Sequence, residues 1–178
     1  LRLPLVYNTG GYDSLEALTL LDGIIDIYMP DMKYADSIIA QRYSRVRDYV
    51  SINQAAVKEM HRQVGDLVLD DNGIAQRGLL VRHLVLPDNL AGSDQILAFI
   101  SREISPDTYV NLMDQYHPCY RAAKNPPLDK ALQDSEFDAA QALARHLGVN
   151  HWNKPYRILD VGTGSGVWGI ALAEKSVH

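Results

Sequence analysis

Asp26-Ile27-Tyr28-Met29-Pro30-Asp31-Met32-Lys33 is the stretch on which the fold turns. The apolar run Gly23-Ile24-Ile25 leads into it, so Ile24 to Asp31 reads as a buried strand. Its end carries an acid and, two residues on, a base. Strand period two puts Met29, Asp31 and Lys33 on one side of the extended chain. In β/α proteins ligands sit at the carboxyl ends of strands. An acceptor and a cation aimed together into a cavity suit a zwitterionic ligand, such as an amino-acid moiety. Taken alone, the same pair reads as an ordinary solvated strand end.

On the N-terminal side, Leu3 to Asn8 is a short apolar strand closed by the turn Asn8-Thr9-Gly10-Gly11. Asp13 or Ser14 caps a helix to Leu21, with Leu15, Leu18 and Leu21 at helical spacing. Strand, helix, strand implies parallel pairing and a right-handed crossover. On the C-terminal side, Asp36 to Ser44 reads as a short helix. A longer one spans Tyr49 to Val64, with an apolar stripe at Ile52, Ala55, Ala56, Met60 and Val64, and Gly65 stops it. Asp66 to Leu69 is a strand, and Asp70-Asp71-Asn72-Gly73 turns it back, since Asn-Gly is a strong hairpin signal. The returning strand, Gly78 to Leu86, is nearly all apolar, which suits a parallel strand buried on both faces. A helix from Ser93 or Asp94 to Ile104, a strand from Thr108 to Met113, a surface loop over 121–133 and a helix from Ser135 to Leu147 follow. Four parallel strands with helices between them result.

The chain has 178 residues, 47% hydrophobic and 22% charged, which is ordinary for a globular chain of one domain or one domain with an appendage. The formal net charge of −5 argues against a general nucleic-acid-binding surface. No apolar run approaches the roughly 20 residues that span a bilayer. The opening Leu1-Arg2-Leu3-Pro4 has no signal-peptide pattern and reads as the middle of a longer chain; a cytoplasmic location is the default. The single cysteine, Cys119, excludes an internal disulfide and a cysteine-cluster site, and it reads as a packed thiol.

Four strand ends carry polar groups: Asn8-Thr9, Asp31 with Lys33, Arg82 or His83, and His117. In a barrel or partial barrel these converge on one mouth. Asn8-Thr9-Gly10-Gly11, Met29-Pro30-Asp31-Met32-Lys33, Val81-Arg82-His83-Leu84-Val85-Leu86-Pro87 and Gln115-Tyr116-His117-Pro118 stand in the order seen in activating enzymes of the pyruvate formate-lyase type. The chain resembles the less characterised branch of these radical S-adenosylmethionine (SAM) proteins over about residues 1–153. The resemblance implies a partial TIM-like (β/α)6 barrel, of which this chain carries about four units. It implies a [4Fe-4S] cluster and SAM as cofactors, and reductive cleavage of SAM to a 5′-deoxyadenosyl radical. That radical abstracts hydrogen from a glycine of a protein partner. It places Asp31, Lys33 and His117 on SAM. It puts Asn8, Thr9, Met29 and Asp31 around a monovalent cation, with Asn8 where well-known members have an acid. The family's Cys-x3-Cys-x2-Cys cluster motif is absent. The chain therefore matches strands three to six of six, without radical chemistry of its own. The unpaired barrel edge is expected to drive oligomerisation or poor solubility.

From Pro155 the text changes. Arg157-Ile158-Leu159-Asp160-Val161-Gly162-Thr163-Gly164-Ser165-Gly166 reads as a strand entering a glycine-rich turn, with a helix from Val167 to Glu174. Glycines permit close backbone approach, and the helix start offers free N–H groups. Asp160, Gly162, Gly164 and Gly166 resemble the first motif of Rossmann-like SAM-dependent methyltransferases, so residues 154–178 are expected to be a first β-α unit of that type. Two other readings remain: a fragment of a SAM-dependent methyltransferase, and a non-catalytic β/α scaffold.

Overall fold

The computed structural model describes residues 3–152, which form a mixed α/β unit around a parallel sheet. The elements are β1 (Val6–Thr9), α1 (Leu15–Leu21), β2 (Ile27–Pro30), α2 (Ser37–Ser44), α3 (Tyr49–Val64), β3 (Val68–Leu69), β4 (Ala75–Leu84), α4 (Ser93–Phe99), β5 (Tyr109–Met113), α5 (Asp134–His146) and β6 (His151–Trp152). The strand order is β1-β2-β4-β5-β6, all parallel, with β3 antiparallel to the start of β4. Asp160, Gly162, Gly164 and Gly166 lie outside the described residues.

Local chemistry sets the helix ends. Ser14 Oγ accepts from Ala17 N–H (3.2 Å) and starts α1. Asp36 Oδ1 accepts from Ile38 N–H (2.6 Å) and starts α2. Each satisfies an N–H that a helix start otherwise leaves orphaned. Gly65, at φ 73°, closes α3. In the β3–β4 hairpin, Asp70 Oδ1 accepts from both Asn72 N–H and Ile74 N–H, each at 2.9 Å. α4 does not stop at Phe99 but widens into a π-turn over Ile100–Ile104, ending where the sequence predicts.

Helices α1, α3, α4 and α5 cover one face of the sheet. Leu18, Ala56, Val57, Met60, Ile96, Leu97, Phe99 and Ala144 pack there against Tyr28, Leu79, Val81, Val110 and Leu112. Burying a side chain the size of Met60 or Leu97 contributes about 1.5–3 kcal/mol. The alternate residues of the same strands, Met29, Leu80 and Tyr109, form a second cluster on the opposite face with Val6 and Leu67. Strand alternation thus gives β4 apolar contacts on both sides, as its sequence requires.

Several sequence expectations shift: the first strand begins at Val6 rather than Leu3, and the long strand runs Ala75–Leu84 rather than Gly78 to Leu86. The second strand begins at Ile27 rather than Ile24, because Ile24 and Ile25 N–H both donate to the Leu21 carbonyl and prolong the turn after α1. Among the described residues five strands are parallel rather than four: His151–Trp152 adds β6 beside β5, in register Tyr109↔His151.

Candidate functional site

The parallel register decides which polar strand-end residues meet. Asn8 pairs with Met29, and Asp31 bridges to Arg82, which in turn pairs with Asn111. Side-chain alternation puts Met29, Leu80 and Tyr109 in one row on the face away from the helices. Asp31, Arg82 and Asn111 form the next row toward the strand ends. Arg82, not His83, therefore reaches Asp31. Arg82 Nε donates to Asp31 Oδ1 at 2.8 Å, and Arg82 Nη2 lies 2.6 Å from the same oxygen. Lys33 Nζ pairs with the other oxygen, Oδ2. One carboxylate is thus held between two cations, and the group carries a net charge of about +1. The Asp31 side chain is only 13% exposed, against 23% for Arg82 and 47% for Lys33. The acid is fixed and the lysine is the adjustable partner.

The backbone of Asp31–Lys33 is held by α3. Asn53 Nδ2 donates to the Asp31 carbonyl (3.0 Å) and to the Gly11 carbonyl (2.8 Å). Lys33 N–H donates to the Tyr49 hydroxyl (2.8 Å), and that hydroxyl donates to the Asp31 carbonyl (3.4 Å). Tyr49 and Asn53 are four residues apart, so they share one helix face. Burial, the largest effect, raises the Tyr49 phenol far above its ordinary value, so it stays a neutral donor. Among the described residues, the buried Asn53 Oδ1 has no hydrogen-bond partner. Gly11, at φ 74°, lies against the Asp31 carbonyl and Asn53 Nδ2, where a Cβ would overlap both. Sequence reasoning missed Tyr49 and Asn53. Their only trace is a polar pair at i, i+4 on the buried side of a helix.

The remaining expected residues divide. Met29 lies directly below Asp31 on the same face, and Asn8, its register partner, is exposed at the edge strand. Thr9 turns the other way: its Oγ1 donates to Asp13 Oδ2 (2.7 Å) and accepts from Gly11 N–H (3.2 Å). It shapes the β1–α1 loop and makes no contact with the Asp31 carboxylate. His117 lies exposed in the loop after β5 and makes no hydrogen bond with the described residues. Cys119, expected as a packed thiol, is exposed, because the loop that carries it runs outside both layers. His83 faces the helices and is fully buried. Its Nδ1 lies 2.7 Å from the Met32 carbonyl, which can only accept, so Nδ1 carries the proton. Nε2 then accepts from Ser93 Oγ at 2.8 Å. Burial lowers the His83 pKa, so the imidazole is a neutral tie between β4, the end of β2 and α4. A separate groove of about 390 Å³, lined by Val85, Leu86, Ser93, Glu136, Ala140 and Leu143, opens between the end of β4 and α5, away from Asp31.

The donor set fits one expected cofactor and not the other. Two cations around a fixed carboxylate, at the carboxyl ends of parallel strands, fit the charged amino-acid end of SAM. An iron–sulfur cluster needs several thiolates, and this sequence has one cysteine, so its residues do not fit a cluster. Among the described residues no group of three or more His, Cys, Asp or Glu side chains is placed to hold a metal ion. No described helix is long and apolar enough to cross a membrane.

An uncharacterized protein of Methanocaldococcus jannaschii is 32% identical to this chain over 150 residues, 84% of the chain. The chain spans 40% of that protein's length. No protein-family profile matches the chain, and no solved structure matches it.

Proposed function

We propose that this chain is the SAM-binding portion of a radical SAM activating-enzyme-like protein. The observation that carries the reading is the Asp31 carboxylate held between Lys33 and Arg82 where β2 and β4 end. The winding supports it. Strand order follows chain order and the helices cover one face, as in a (β/α) barrel. A doubly wound sheet would reverse its strand order and carry helices on both faces. The parallel strands of this chain are part of such a TIM-like barrel. Lys33 and Arg82 receive the carboxylate end of SAM, Asp31 fixes both cations, and Met29 with Leu80 forms the apolar floor. The parent reaction of such proteins, cleavage of SAM to a 5′-deoxyadenosyl radical that takes hydrogen from a protein glycine, would need a cluster that this chain's single cysteine does not hold.

Isothermal titration with SAM tests the reading. The expected result is saturable binding to the wild type, at least about tenfold weaker binding to Asp31→Ala, and unchanged binding to Asp160→Ala. Loss in Asp160→Ala alone assigns the ligand to the methyltransferase-like motif and overturns the barrel site. No binding to the wild type leaves a β/α scaffold.

A further inference from the structure

We propose that the rim formed by α2 and the loop after β5 is a docking surface for an acidic protein segment. The inference rests on charge and exposure, and it does not depend on which ligand the Asp31 site holds. The two pieces follow the carboxyl ends of parallel strands, β2 and β5, so they share one end of the sheet. They meet where the Tyr43 hydroxyl donates to the Pro126 carbonyl at 3.0 Å. Around this junction the sequence is one-sided. Residues 37–47 hold Arg42, Arg45 and Arg47 and no acid, and residues 115–128 hold Arg121 and Lys124 and no acid. The acids that border α2 are engaged: Asp36 Oδ1 accepts from Ile38 N–H, and Asp48 Oδ1 accepts from the Tyr12 hydroxyl. All five cations are exposed. Among the described residues none of them pairs with a carboxylate, whereas Lys33, Lys58, Arg62, Arg82 and Lys130 each do.

The chain as a whole carries a formal net charge of −5, so this rim runs against the overall balance. It attracts an anion locally while the rest of the surface repels one, which fixes where an acidic partner lands. The apolar groups on the rim narrow the partner. Ile38 is 74% exposed and Tyr120 is 87% exposed. Tyr120 also holds a left-handed backbone, φ 52°, which a bulky residue adopts only at a cost in free energy. Its outward ring recovers little of that cost by burial. The Arg121 guanidinium lies 5.2 Å from the Tyr120 ring centroid, and that of Arg42 lies 5.1 Å from the Tyr43 ring centroid. Arginine beside tyrosine is the composition that carries binding energy at protein interfaces. A nucleic-acid surface would instead need a basic stripe along a face of a basic domain. Two short cationic segments around exposed apolar side chains suit a run of Asp and Glu with an aromatic or aliphatic neighbour.

The test measures fluorescence anisotropy with two labelled probes, a glutamate–tyrosine copolymer and a single-stranded oligothymidylate. No SAM is added, so the outcome is separate from that of the SAM titrations. The wild type is expected to bind the copolymer saturably, and more weakly at about 200 mM than at about 50 mM salt. Arg42→Glu with Arg45→Glu, and Arg121→Glu with Lys124→Glu, are each expected to weaken that binding at least about tenfold. Lys58→Glu with Arg102→Glu makes the same change in net charge in α3 and the turn that extends α4, and is expected to stay within about threefold of the wild type. Thermal melts report folding, and if one rim variant does not fold the other decides. No saturable binding of the copolymer to the wild type, unchanged binding in a folded rim variant, an equal loss in the α3–α4 variant, or tighter binding of oligothymidylate than of the copolymer overturns the proposal.

Discussion

At Gly11 the β1–α1 loop, α3 and the end of β2 come within one side chain of each other. The backbone has φ 74°, and any Cβ there would meet the Asp31 carbonyl and Asn53 Nδ2. Gly11→Ala is expected to cost about 2 kcal/mol or more in urea denaturation, from backbone strain and overlap together. His83 makes a different prediction. Its folded pKa lies below the ordinary 6.5, first because burial disfavours the imidazolium, while the Met32 carbonyl acts in the opposite direction. The unfolded chain therefore takes up a proton that the folded chain resists. Stability is full above pH 6.5 and falls as pH drops below it, toward the folded pKa, by up to about 1.4 kcal/mol per pH unit. Denaturation at about pH 7.5 and about pH 5.5 should show a larger loss in wild type than in His83→Gln, by about 1 kcal/mol. Equal losses would mean that His83 is not the neutral tie described. Asp31 and Lys33 were legible in the sequence because their relation is local, a spacing of two on one strand. Arg82 was not separable from its neighbour His83, because which side of β4 faces the helices is settled only by packing. Tyr49 and Asn53 lie outside the apolar stripe that marks the helix in the sequence, and a polar side chain on a helix shows its partner only after the helix has docked.

Elements with strong end signals were the most readable. α3 runs from Tyr49 to Val64 as its apolar spacing and Gly65 predict, and α1 and α2 start beside the predicted caps. β6 has two residues and shows no period, so only its pairing with β5 reveals it. The N-terminus of α5 does more than start a helix. Glu136 Oε2 accepts from Gln133 N–H (2.9 Å), while Oε1 accepts from Asp88 N–H (2.7 Å) in the β4–α4 loop. Asp88 has a positive φ of 54°, and Lys130 pairs with its carboxylate at 3.3 Å. Glu136 thus ties α5 to the loop that follows β4. Glu136→Ala is expected to lower stability by about 1–2 kcal/mol, and Glu136→Gln to recover part of it, read as shifts in the urea midpoint. A neutral Glu136→Ala would place α5 outside the cooperative unit.

At the scale of the molecule, β1 is the element that matters. Among the described residues it pairs on one side only, with β2. Leu3, Leu5, Leu15, Leu20 and Ile24 are all exposed in the same β1–α1–β2 segment, Leu20 at 78%. An unpaired strand beside exposed apolar side chains is a template for association. Sedimentation velocity is expected to show concentration-dependent self-association, reduced by Leu5→Lys combined with Leu20→Lys. A monomer at every concentration would count against an open barrel edge. The parallel β/α alternation of the whole was legible because helix and strand periods differ. The ion cluster was not fully legible, because it joins β2 to β4 across 51 residues of sequence.

The central claim is that the strand ends around Asp31 bind SAM. Amide chemical-shift perturbation measures this most directly. Backbone ¹H–¹⁵N spectra are recorded on the wild-type chain with increasing SAM. Saturable shifts are expected, centred on Asp31 to Lys33, Arg82 and the Thr9–Gly11 loop, with loss of those shifts in Asp31→Ala. Shifts confined to residues 160–166, or none on addition of SAM, would contradict it.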